Sequence, residues 1–400
     1  MKNVVLLTID ATRKDALGLY GNNKGLTPFL DSLKEDLLIF TDCQSTGPYT
    51  QASFPGILTS SYFLDYGQPR GLAQERTLIS EPLKDAGFTT AAFHSNPYCS
   101  GFFGWNRGWH TFYDSMDDEV EPKIPYIRGN VINEKVSAWL SSQAQKQKDN
   151  PFFLWLHYMD VHEPYMPEKK YIDMVDPSLE ISGDEMYELF QSVILKRDVS
   201  DPEKVELLRK LYDIHVREVD FYIEQFFHKL KELDMLDDTI VIFTSDHGDE
   251  FNDHGSLSHD DKLYSELIHV PLFIYGLDQK GTCDSLVSTV DIPPTIMNLL
   301  GQEPHQNFKG KSLLPVEEYK EEGVFAEAIC QKSKRGGNIE KDVYCYRENN
   351  LKIICRANLD QWEMYDLSSD PAEQNNIAGE SAEFENMKSK LEPMIRRWNK

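Results

Sequence analysis

Val241-Ile242-Phe243-Thr244-Ser245 runs straight into Asp246-His247-Gly248-Asp249-Glu250. A buried strand that ends in adjacent Asp and His offers a hard oxygen and an imidazole to one point in space, a donor pair suited to a divalent metal. Val4-Val5-Leu6-Leu7-Thr8-Ile9 ends in Asp10 in the same manner. The expectation is that these two strand ends meet around a metal ion. Taken alone, Asp10 also reads as a turn or helix-capping residue.

Two more polar groups stand at element ends. Ser45-Thr46-Gly47-Pro48-Tyr49-Thr50 is a loop of small residues, and the run from Ser53 to Ser60 reads as a short helix entered at Thr50 or just after. A hydroxyl at a helix N-terminus faces unpaired N–H groups and the positive end of the dipole, a setting that suits an oxyanion. Taken alone, Thr50 is simply an N-cap. Phe152-Phe153-Leu154-Trp155-Leu156-His157 reads as a buried strand leading into Tyr158-Met159-Asp160-Val161-His162-Glu163-Pro164-Tyr165. His157 lies within the apolar run and reads as a packing residue, whereas His162 lies past it and reads as functional.

The elements that must position these residues alternate. Strands are predicted at 3–9, 38–41, 89–94, 152–157, 239–245 and 269–275, and the first is continuously apolar, as in a parallel sheet covered on both faces. Between them, Thr27-Pro28 opens a helix with Phe29, Leu30, Leu33 and Leu37 on one face. Further helices are predicted at 78–87, 131–144, 204–232 and 291–300. Residues 166–205 are charged with little periodicity and read as an insertion or lid. From about 320 onward, short runs at 323–329, 343–347, 351–356 and 361–367 resemble an antiparallel meander, followed by a helix at 381–399. The organisation is therefore α/β: a main domain over 1–318, then a smaller α+β part over 319–400.

Sixty-six acidic against forty-one basic residues give a net charge of −25. That balance argues against a nucleic-acid or anionic-membrane partner. The six cysteines show no CxxC spacing and read as free thiols of a reducing compartment, with a Cys345–Cys355 bridge as the alternative. No apolar run approaches the roughly 20 residues of a membrane span. With core residues starting at position 4, no signal peptide is expected, and the predicted location is cytoplasmic.

Taken together, these stretches resemble the sulfatase family of the alkaline phosphatase superfamily. The match runs through Asn3–Arg13, Thr27–Asp31, Thr50–Ser53 with Leu58-Thr59, His157–Tyr165 and Thr244–Gly248. It continues in Leu263-Tyr264 with Val270–Leu272, Asp291–Thr295, Gly310–Pro315 and Met364–Pro371. The resemblance implies a mostly parallel central sheet between helices, a metal at its C-terminal edge, and a small C-terminal sheet. It places Asp10, Asp246 and His247 at metal-ligand positions and Thr50 at the nucleophile position, where it also ligates the metal. His162 falls near the position that holds the transferred group or protonates the leaving group, and His259 where a Lys or His contacts that group.

The departures direct the chemistry. Sulfatases carry Cys or Ser in Cys/Ser-x-Pro-x-Arg and oxidise it to formylglycine. Here Thr50, Ala52 and Phe54 stand at those positions, and Ala11 replaces the usual second acidic residue. A threonine cannot become an aldehyde, because its β-carbon bears a methyl group. A threonine sulfate cannot collapse by elimination, whereas a threonine phosphate can be attacked in line by water. The expected activity is therefore metal-dependent hydrolysis of small anionic phosphate mono- or diesters, or of phosphonate esters. One divalent ion serves it, with Mn²⁺ or Zn²⁺ favoured and Ca²⁺ as an alternative, and no formylglycine. His162 and His259, with Arg13 and Lys262, are expected to neutralise the phosphoryl oxygens and serve the leaving group. The alternatives are sulfuric ester hydrolysis and an anion-binding homologue without turnover.

Overall fold

The computed structural model describes residues 2–66, 71–145, 151–259, 262–320, 322–329 and 342–396. The chain opens with β1 (Asn3–Ile9), a short α1 (Pro28–Ser32), β2 (Leu37–Gln44) and α2 (Thr50–Thr59). Next come α3 (Ser80–Asp85), β3 (Thr89–Phe93), β4 (Thr111–Tyr113), α4 (Gly129–Ala144) and β5 (Phe152–Tyr158). The charged stretch expected as an insertion holds α5 (Lys169–Val175) and α6 (Gly183–Leu189). It leads into the long α7 (Pro202–Glu232) and β6 (Thr239–Ser245).

A hairpin of β7 (Glu250–Phe251) and β8 (Leu257–Ser258) and the single turn α8 (Ser265–Ile268) precede β9 (His269–Tyr275). Then follow β10 (Gly281–Ser288) and α9 (Ile292–Leu299). The C-terminal part comprises β11 (Val324–Ala328), β12 (Val343–Glu348), β13 (Leu351–Arg356), β14 (Gln361–Asp366) and α10 (Phe384–Arg396).

Eight strands form one sheet in the order β10-β2-β9-β6-β1-β5-β3-β4. Only β9 runs against its neighbours, and the other pairings are parallel. Successive side chains of a strand point to opposite faces, and both faces are covered. Val4, Leu6, Ile240 and Ile242 pack with Phe54 and Ile57 of α2 and Ile296 of α9. Val5, Leu7, Val241 and Phe243 pack with Ile132 and Val136 of α4 and Tyr222 and Phe226 of α7. That two-sided burial is why the central strands read as unbroken apolar runs.

One predicted helix is shorter than its spacing implied. α1 ends at Ser32, a 3-10 turn spans Lys34–Asp36, and Leu37 already opens β2. The apolar spacing of Phe29, Leu30, Leu33 and Leu37 is thus shared between a helical turn and the start of a buried strand.

The four C-terminal strands form a separate antiparallel sheet. One face shares a core with Leu263, Leu267 and Ile268, and the other packs Met387 and Leu391 of α10. The alternative of a Cys345–Cys355 bridge fails on register. Cys345 lies opposite Ile354, and Cys355 opposite Tyr344. The two thiols therefore point to opposite faces of the sheet. All five described cysteines are free and buried, and Cys330 lies outside the described residues. Among the described residues, no helix is long and apolar enough to cross a membrane.

Candidate active site and metal centre

Strand register gathers the first ligands. β1 and β6 pair in parallel with Ile9 opposite Ser245, so Asp10 and Asp246 emerge side by side at the C-terminal edge of the sheet. His247 follows, and ligand atoms of Asp10, Asp246 and His247 lie within 4.8 Å of one another, all fully buried. Gly248 is required at this turn: a Cβ would stand 2.1 Å from the Glu266 carbonyl oxygen and 3.1 Å from Arg13 Cγ. Ala11, where the family carries a second acidic residue, sits at φ 54° in the left-handed region. That conformation costs a non-glycine residue about 1–3 kcal/mol. It aims the Ala11 N–H at Asp246 Oδ1, 3.2 Å away.

The protonation of this cluster fits a bound cation. His247 Nδ1 donates to the Gly248 carbonyl (2.9 Å), leaving the Nε2 lone pair facing inward. Nε2 stands 3.3 Å from Asp246 Oδ2 and 3.6 Å from Asp10 Oδ1 without a hydrogen bond to either. Asp10 Oδ1 is likewise buried without a partner. Two carboxylates and an imidazole lone pair converging in a buried space repel one another unless a positive charge lies between them. Burial and the negative charge of Asp10 push the Asp246 carboxyl well above its ordinary range. For Asp10, burial acts upward, but the contact with His157 and the charges of His162 and His247 hold it well below that range. A carboxylate–carboxylate–imidazole set suits a divalent metal ion.

Thr50 completes this edge. It is the first residue of α2, with Tyr49 in the capping position, so its hydroxyl is not used as an N-cap. Thr50 Oγ1 lies 3.5 Å from Asp246 Oδ2. It accepts a hydrogen bond from Asn96 Nδ2 at 3.2 Å, and the same nitrogen donates to Asp10 Oδ2 at 2.8 Å. Asn96 Oδ1 accepts from the Tyr98 N–H (3.0 Å), which fixes the amide orientation. Asn96 follows β3, at the same sheet edge as Asp10 and Asp246. A polar residue just past the end of a buried strand was the signal for it, and an Asn before Pro was easily taken for a turn.

The histidines divide by role. His157 packs edge-on against Phe54 and stacks on Trp155, as its place in the apolar run implied. It also reaches Asp10 Oδ2 with Nε2 (3.3 Å), while Nδ1 meets Thr8 Oγ1 (2.8 Å). His162 gives its Nδ1 proton to the Glu163 carbonyl (2.7 Å), leaving Nε2 for other partners. Its ring meets that of His259 at 4.9 Å, and His259 in turn lies 4.4 Å from the His247 ring. His259 Nδ1 pairs with Asp249 Oδ1 (2.9 Å), and Asp249 accepts the Tyr165 hydroxyl on its other oxygen. Burial and the neighbouring His247 and His162 hold His259 well below the ordinary histidine range. Burial acts downward on His162 too, but Asp10, Glu163 and Asp249 together raise it. Asp249, missed in the sequence, is thus the residue that orients His259.

The structure gives the two expected cations other work. Arg13 Nε and Nη2 bind Asp15, Nη2 and Nη1 bind Asp253, and Nη1 also binds the Asp249 carbonyl. All five guanidinium donors are engaged, so none remains for a substrate oxygen. Lys262 Nζ uses its three donors on both Glu250 oxygens and the His254 carbonyl. Both side chains brace the loop that carries His247, Asp249 and His259.

Comparison with known proteins bears on the family and the fold. Residues 2–302 match the Sulfatase family model, and residues 254–400 match that of the N-sulphoglucosamine sulphohydrolase C-terminal region. The ulvan-active sulfatase of Formosa agariphila is 24% identical over 98% of this chain and 80% of its own length. A solved structure bound to its substrate D-glucosamine-2-N,6-O-disulfate superposes with a TM-score of 0.78. That alignment covers 100% of this chain and 98% of the other, at 19% identity. The phosphonate monoester hydrolase of Agrobacterium radiobacter superposes with a TM-score of 0.77 at 19% identity, over 99% and 95% of the two chains. At these identities the structural likeness carries the fold, whereas the family match spans most of the sequence. The chain belongs to the sulfatase family.

Proposed function

We propose that this sulfatase-family hydrolase cleaves phosphate mono- or diesters, or phosphonate esters, with Thr50 as nucleophile. The observation that carries the reading is Thr50 Oγ1 itself, held between Asn96 Nδ2 and the Asp246 carboxylate at the start of α2. No Cys or Ser stands there to be oxidised to an aldehyde, so the transferred group must leave the enzyme by a second displacement, which phosphorus supports.

Asp10, Asp246, His247 and Thr50 would hold one divalent ion, with Mn²⁺ or Zn²⁺ preferred, whose charge lowers the pKa of ligated hydroxyls and water and offsets charge on the ester oxygens. The residues do the rest. Asn96 fixes the Thr50 oxygen, whose proton faces Asp246. Thr50 Oγ passes its proton to the Asp246 carboxylate and forms a bond to phosphorus as the bond to the leaving oxygen breaks, and that oxygen takes a proton from His162 Nε2. Water then displaces Thr50 from phosphorus, giving its proton to the His162 imidazole while Oγ regains its own from Asp246, and His259, held by Asp249, lies against His162.

A second reading, sulfuric ester hydrolysis, is favoured by the family match and by the ulvan-active relative. One panel separates them: aryl phosphate, bis-aryl phosphate, aryl phosphonate and aryl sulfate, each with Mn²⁺, Zn²⁺ and Ca²⁺. The expected result is metal-dependent turnover with a phosphorus ester fastest. Sulfate turnover above every phosphorus ester would transfer the case to the second reading. Absence of turnover and of bound metal would mark an anion-binding homologue. Thr50→Ala should lower kcat by at least 10³-fold with an unchanged circular dichroism spectrum, and retained activity would remove Thr50 from the chemistry.

A further inference from the structure

Among the described residues, one carboxylate beside the two site histidines has no hydrogen-bond or ion-pair partner. Asp10 accepts from Asn96, Asp246 from two backbone N–H groups, Asp249 from Tyr165, and Glu250 pairs with Lys262. Glu163, next to His162, makes no side-chain hydrogen bond or ion pair among the described residues, although its Oε2 is out of contact with solvent. Its backbone carbonyl is the group that orients His162, and its charge acts on that ring. Its charge also acts on His259, more strongly than that of Asp10 does. The residue is half-buried, so a ligand can reach it from the open side.

A carboxylate that keeps no partner while partly shielded from water is poised to take a positive group. A metal ion is not the fitting occupant. Among the described residues, the only three His, Cys, Asp or Glu residues whose ligand atoms converge are Asp10, Asp246 and His247. An unpaired negative charge there also opposes a plain dianionic ester, and so does the chain's net charge of −25. A compensating cation on the leaving-group side of the substrate turns the first term favourable and weakens the second.

We propose that Glu163 binds an ammonium group on the leaving portion of the substrate, so that the natural ester is a zwitterionic aminoalkyl one. This rests on the hydrolase reading above. Held there, the ammonium would sit past the two histidines, with the ester pointing at Thr50.

The test compares esters with matched leaving groups, 2-aminoethyl phosphate against propyl phosphate and 2-aminoethyl sulfate against propyl sulfate, in the metal-loaded enzyme. For whichever class is hydrolysed, kcat/KM should favour the ammonium ester at least tenfold, mainly through KM. In Glu163→Gln that ratio should fall to about one, because the ammonium ester loses affinity and the propyl ester gains it. A ratio near one in the wild type, or one unchanged by Glu163→Gln, would overturn the inference while leaving the hydrolase reading intact. Two metal ions per chain, falling to one in Glu163→Gln, would overturn it in favour of a second cation site. Hydrolysis of none of these esters, nor of the aryl panel, would sink the hydrolase reading and this inference with it.

Discussion

Asn96 joins the two oxygens on which the proposed chemistry turns, because a single amide nitrogen donates to both Asp10 and Thr50. Removing an orienting donor of this kind typically costs about 10–100-fold in metal affinity or activity. Asn96→Ala is therefore expected to lower kcat by about that factor with KM changed a few-fold at most, and to weaken Mn²⁺ or Zn²⁺ binding in a titration. A kcat within twofold of wild type would show that Thr50 is positioned without it. Asn96 also marks the limit of what residue types reveal. Asp10, Asp246, His247 and Thr50 stood out because each ends an apolar run or sits among small residues. Asn96 comes from β3, on the far side of β5 from β1, and only the order of the strands brings it to Asp10. Arg13 and Lys262 were read for charge alone, yet local carboxylates take every donor they have.

At the scale of elements, the buried central strands and the long helix α7 were legible, since their periodicity is set by burial on known faces. The edges were not. β10 carries Thr282, Asp284 and Ser285, and β4 is three residues long. The first half of β10 is largely exposed, its buried apolar residues being Cys283, Leu286 and Val287, and β4 is half-buried, so neither edge strand reads as a continuous apolar run. A buried carboxylate on α7 compensates for the brevity of α1. Asp220 accepts the Phe29 and Leu30 N–H groups at 3.0 Å each, satisfying donors that a five-residue helix cannot satisfy internally. Burial pushes its carboxyl up to about 7, against the pull of those two donors. An acid with a raised folded pKa binds its proton more tightly when folded. Its contribution to stability is full below the unfolded value near 4 and is lost as pH rises through about 7. Relative to Asp220→Asn, the wild type should thus lose on the order of a few kcal/mol of unfolding free energy between pH 4 and pH 8. Denaturant titrations of both proteins across that window measure it, and a difference constant with pH would show that Asp220 ionises normally in the fold.

Across the whole molecule, the C-terminal sheet acts as a clamp on the loop that presents Thr50. The Glu327 N–H donates to the Thr46 carbonyl (2.9 Å), and Glu327 Oε1 accepts from the Leu64 N–H (2.8 Å), so β11 grips the chain before and after α2. Arg347 of β12 binds both oxygens of Asp42 on β2. Gly47 lies within this contact, where a Cβ would come 2.2 Å from Ala52 Cβ and 3.0 Å from the Glu327 carbonyl oxygen. Nearest the nucleophile, Tyr49 donates its hydroxyl to the Ile329 carbonyl and accepts from the Ile329 N–H, each at 2.8 Å. Tyr49 immediately precedes Thr50, so slack at this phenol passes directly into the position of Oγ1. Tyr49→Phe removes both bonds while keeping the ring. Leaving the Ile329 groups without that partner should cost about 1–3 kcal/mol of stability. A nucleophile displaced by a fraction of an ångström should lower kcat about tenfold, since a 1 Å misplacement can cost about 10²-fold. KM should change little, because the groups facing the ester's oxygens and leaving group are untouched. A lowered melting temperature with kcat unchanged would confine the clamp to stability, whereas a fall in kcat at temperatures where the variant is fully folded would make the C-terminal sheet a working part of the active site.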